Sequence, residues 1–95
     1  MTSSNELEKK AIDNLSTLFD DHQLPVSVND VKLWLEQKVK YLLDHDFNAL
    51  VNILYRIDVY ESKAKQCFGQ ENSQIAKCLA NLIWDRQMQK FQNLK

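Results

Sequence analysis

Between Phe47 and Asp58 the chain is apolar almost all the way round a helical wheel. Phe47, Ala49, Leu50, Val51, Ile53, Leu54, Tyr55 and Ile57 are interrupted by Asn48, Asn52 and Arg56 alone. Those three stand at four-residue steps and so fall on one narrow line of a helix. A helix apolar on most sides must be covered on most sides. The segment is expected to be the buried central helix against which the rest of the chain packs, with the Asn48/Asn52/Arg56 line as its face to solvent.

One glycine and one proline in 95 residues leave little material for the tight turns of a β-sandwich or barrel. Long helices with short connections are the alternative, and the apolar spacing supplies them. Ser3-Ser-Asn-Glu6 reads as a capping box, followed by Leu7, Ala11, Ile12, Leu15, Leu18 and Phe19 on one face, for a first helix over 4–21. Gln23–Val26 around Pro25 is a linker. Ser27-Val-Asn-Asp30 caps a second helix, with the stripe Val28, Val31, Leu35, Val39, Leu42, that stops near Asp44. Asp46 caps the third helix. Asp58-Val-Tyr-Glu61 reads as a box that ends the third and opens the fourth, which carries Tyr60, Ala64, Cys67 and Phe68 on one side. Gly69 stands where a left-handed C-terminal residue is expected. The fifth helix runs over 73–91. The expected fold is all-α, a compact bundle of about five helices. An N-terminal antiparallel hairpin is followed by three shorter helices, of which the third of the chain is the buried centre and the fourth and fifth close over it. Residues 1–95 form one domain, frayed over 1–3 and 93–95.

The net charge of −1 offers no broad field for nucleic acid or an acidic membrane. No apolar run approaches the ~20 residues of a membrane helix, and Met1-Thr-Ser-Ser-Asn-Glu6 lacks the pattern of a secretory signal. The expectation is a cytoplasmic protein with Cys67 and Cys78 as reduced, space-filling thiols.

Chemistry has few places to sit. Asp20-Asp-His22 and Asp44-His-Asp46 each offer too few spaced ligands for a metal, so none is expected, and no cofactor. No nucleophile, base and orienter stand together, so no enzyme is expected and no catalytic residue is named. The core stripe of the fifth helix, Ile75, Ala76, Leu79, Leu82 and Ile83, extends into Arg86 and Lys90. Arg86 needs a partner there. Asp58 and Glu61 can supply it as a structural network, or Arg56 and Arg86 can face a small anion or nucleotide. A second apolar line on that helix, Ala80, Trp84, Met88 and Phe91, lies about 100° from the first. Either the first or second helix covers it, or Trp84, Met88 and Phe91 form the surface of a homodimer or of an unknown protein partner.

Leu54-Tyr-Arg-Ile-Asp-Val59 with Glu61, then Ile75-Ala and Leu82-Ile-Trp-Asp-Arg-Gln-Met-Gln-Lys90, resembles a family of small uncharacterised all-helical bacterial proteins. That family carries a similar "LYRID" corner and a final "LI..RQ.QK" helix. The resemblance spans roughly residues 40–90 and implies a bacterial cytosolic protein with no activity that can be named. Trp84 and Asp85 depart from its pattern. The leading expectation is a non-enzymatic protein–protein interaction module. The alternative is an accessory protein binding a small anion or nucleotide through Arg56 and Arg86.

Overall fold

The helix that touches every other one is the last. In the computed structural model, which describes residues 2–21 and 27–92, α5 (Asn72–Gln92) packs against α1 (Thr2–Phe19), α2 (Val28–His45), α3 (Phe47–Ile57) and α4 (Glu61–Phe68). There is no strand among the described residues. The all-α bundle read from the sequence is the observed architecture, with extents of 38 × 27 × 20 Å. The expected caps at Ser27 and Asp46 start α2 and α3, although only Asp46 accepts a side-chain bond, from the Ala49 amide at 3.2 Å. Helix α1 begins at Thr2, ahead of the expected Ser3 cap. The linker expected at 23–26, His22 of the first acidic cluster and the frayed ends at Met1 and 93–95 lie outside the described residues.

The reason for the central place of α5 is its two apolar lines. Ala76, Leu79 and Ile83 on one, and Ala80 and Trp84 on the other, are all buried. A helix apolar on two sides needs cover on two sides, and α2 and α1 provide it. Leu35, Val39, Val31, Ala11 and Leu15 are fully buried in the same core.

Helix α3 corrects the first expectation. Leu50, Ile53, Leu54 and Ile57 are buried, but Tyr55 is 78% exposed and Phe47 49% exposed. Asn48, Asn52 and Arg56 face solvent as expected. The third helix is a wall of the core, not its post. The hairpin is corrected too. Phe19 meets Trp34 edge-on at 5.4 Å, and Lys38 pairs with Asp21 at 3.6 Å. Trp34 and Lys38 lie about 9 and 15 Å along α2 from Val28. The end of α1 therefore meets the middle of α2, and the body of α1 rests on α5.

Gln87 is the one polar side chain in the core of the described residues, fully buried. Its Nε2 donates to Asn14 Oδ1 at 2.8 Å and to the Ala11 carbonyl at 3.4 Å, which fixes α1 on α5. Its Oε1 accepts nothing.

Two helix ends use aspartate where glycine is usual. Asp20 (φ 53°) and Asp58 (φ 64°) adopt the left-handed conformation, which Asp tolerates better than most residues. Asp21 N–H bonds the Ser16 carbonyl at 3.0 Å, and Val59 N–H bonds that of Leu54 at 3.3 Å, so both helices close with the wrapped turn of a Schellman motif. Asp58 therefore ends α3. It does not open α4, whose N-cap is Tyr60 without a side-chain bond. Gly69 departs from expectation as well. Its φ of −81° and ψ of −2° are right-handed, and a Cβ there would meet only ordinary contacts at 3.6 Å. Gly69→Ala is expected to keep or raise stability by about 0.4–1 kcal/mol, through a less mobile unfolded chain. Urea unfolding checks this, and a loss above about 1 kcal/mol would contradict it.

Candidate functional site

Two neighbouring features converge on the end of α3: a polar corner and an apolar groove. At the corner Arg86, on the flank of α5, donates from Nε to the Asp58 carbonyl at 3.1 Å and from Nη2 to Asp58 Oδ2 at 3.5 Å. Its Nη1 donates to Gln89 Oε1 at 3.1 Å. Lys90 Nζ reaches the Arg56 carbonyl at 3.4 Å. Two cations of α5 thus meet the carbonyl end of α3, where the helix dipole is negative. The geometry is that of an internal tie between α5 and the corner. The Arg86 guanidinium is held on all three nitrogens by protein acceptors, and the Arg56 side chain points to solvent. Glu61 takes no part in it. It pairs instead with Lys65 one turn on, at 3.6 Å.

Of the surface expected on α5, Trp84 lies in the core of the folded chain. Trp84 is 4% exposed, and Met88 and Phe91 are half-buried against the core. The reason is the cover that α1 and α2 lay over the second apolar line.

An apolar groove opens instead between α3 and α4. A tight corner at residues 58–60 and the edge-on stack of Phe47 on Phe68, 5.8 Å between centroids, set the two helices antiparallel. Between these two ends lies an open groove of about 490 Å³. Val51, Leu54, Val59, Ala64 and Phe68 line its apolar part. Tyr55 and Tyr60, 78% and 62% exposed, stand on its rim with Glu61 and Lys65. The cause is a mismatch of supply. Helix α4 has eight residues and buries only Ala64 and Cys67, too little to cover the broad apolar face of α3.

The outer wall of that groove is pinned covalently. Cys67 in the last turn of α4 and Cys78 in the second turn of α5 form a disulfide, with 5.4 Å between their Cα atoms. This corrects the expectation of free thiols. Gly69 and the polar turn after it fold α5 back beside α4, which brings residues eleven apart face to face. A closed loop of that size stabilises by about 3 kcal/mol through the unfolded chain. The signal was available in the sequence: one Cys stands in the last turn before the bend and one in the second turn of the helix after it.

Among the described residues no group of three or more His, Cys, Asp or Glu side chains could hold a metal ion. None of their helices is long and apolar enough to cross a membrane. No protein-family model, curated protein or solved structure matches this chain.

The corner yields a test. Asp58→Ala is expected to cost about 1–2 kcal/mol, because alanine pays for the left-handed backbone and leaves Arg86 without its carboxylate. Asp58→Gly loses the same carboxylate but no backbone energy, and is expected to fall between alanine and wild type. Equal losses for the two variants in denaturant unfolding would contradict the assignment.

Proposed function

We propose that this protein works by contact, not by catalysis, and that the contact is with a second copy of itself through the α3–α4 groove. The observation that supports this reading is the charge order on the rim. Glu61 and Lys65 stand one turn apart on α4 with Ala64 between them on the groove side, and their own pair is exposed on both side chains, 85% and 76%. An exposed pair of that kind is worth only ~0.3–0.5 kcal/mol within one helix.

A two-fold axis beside α4 sets it antiparallel to its copy. Each Glu61 then faces Lys65 of the second copy, so one patch complements itself, as an isologous interface requires. Tyr55 and Tyr60 gain the apolar lining of the opposite groove, and tyrosine is favoured at interface centres. The corner plays a supporting part: Arg86 and Lys90 fix the end of α3, and with it the rim that carries both tyrosines.

Charge exchange tests the reading. Sedimentation equilibrium of the oxidised chain is expected to show a monomer–dimer equilibrium. Lys65→Glu places like charges across the axis and is expected to weaken it tenfold or more. Glu61→Lys combined with Lys65→Glu is expected to restore it. A monomer at every concentration up to about 1 mM, or a double variant no better than the single one, would overturn the proposal.

A further inference from the structure

The disulfide stands behind the groove and ties a short helix to α5, beside the packing of Ala64 and Phe68. Helix α4 is eight residues long, far below the length at which a helix persists alone in water. Ala64 and Cys67 are buried and Phe68 is half-buried, while Glu61, Ser62, Lys63, Lys65 and Gln66 are exposed. One of its two buried side chains is thus the anchor of the covalent bond itself.

From this we infer that the Cys67–Cys78 disulfide is a redox clamp on the groove: reduced by a dithiol, it releases α4 from α5 and dismantles the face on which the second copy docks. The inference rests on the self-association proposed above and adds its regulation. The two sulfurs are not equally open. Cys67 is 3% exposed, whereas Cys78 is half-buried beside the polar turn. Gln70 Nε2 donates to Cys78 Sγ at 3.5 Å, so this sulfur lies where polar groups reach. A thiolate of the reductant attacks Cys78 Sγ. The S–S bond breaks, and Cys67 leaves as a thiolate that takes up a proton. The second thiol of the reductant then displaces Cys78 from the mixed disulfide, and Cys78 takes up a proton in turn. The protein gains two electrons and two protons, and the dithiol becomes a disulfide. With the tether gone, the outer wall of the groove, including Glu61, Ala64 and Lys65, is no longer held against α5.

The clamp and the self-association can be read apart. In dilute, monomeric protein, reduced dithiothreitol is expected to speed hydrogen exchange at the amides of Ala64–Gly69 at least tenfold. The amides of Leu79–Gln87 are expected to change little. At dimer-forming concentration the same reagent is expected to lower the dimer fraction, and Cys67→Ala with Cys78→Ala to do so without reagent. Exchange in α4 that is equally slow with and without dithiothreitol would overturn the clamp, and the wild-type measurement decides this even if the double variant does not fold. A dimer that survives reduction would overturn the regulatory step. An oxidised chain that never dimerises would overturn the proposed function, while the α4 amides would still decide whether the clamp exists.

Discussion

The burial of α5 on two sides is the constraint from which the rest of the bundle follows. A 21-residue helix with apolar lines about 100° apart cannot lie on the outside of a small protein. Helices α2 and α1 cover the two lines, and α3 and α4 share what remains. Each of the other four helices then needs only one apolar face. Gln87 ties α1 to α5, since its amide donates to Asn14 and to the Ala11 carbonyl.

The ends of the helices show how a chain with one glycine turns its corners. Asp20 and Asp58 take the left-handed positions, and an acidic side chain there, or next to it, is met by a cation from another helix: Asp21 by Lys38, Asp58 by Arg86. A glycine would close the turn with less strain but would give no such tie. At the second corner the tie holds α3 to α5 beside the place where α3 and α4 diverge. The rigid corner and the open groove are thus two sides of one junction.

Helix number, approximate boundaries and the identity of most core residues were legible because apolar spacing reports burial within one element. What spacing cannot report is which element covers which. Phe47 and Tyr55 count as apolar on a wheel, yet Tyr55 stays in solvent and Phe47 is covered only in part, by the edge of Phe68. Conversely, the Trp84–Phe91 line looked like surplus surface, yet Ala80 and Trp84 are core and Met88 and Phe91 pack against it. The link from Arg86 to Asp58 was readable from a charge on the extension of an apolar stripe. Glu61 was not distinguishable from Asp58 by sequence and proves to pair locally with Lys65. Gly69 and Asp58 misled in opposite ways: residue type favours a left-handed glycine, but the wrapped turn formed at the aspartate.

If α4 is the movable wall and α5 the fixed post, order in this protein should decline outward from α5. Native-state hydrogen exchange of the oxidised protein measures that gradient directly. The slowest amides are expected at Leu79–Gln87, opening only with the whole chain. Slowest exchange in α3, with α5 opening in a smaller and earlier unfolding step, would contradict the account at its centre.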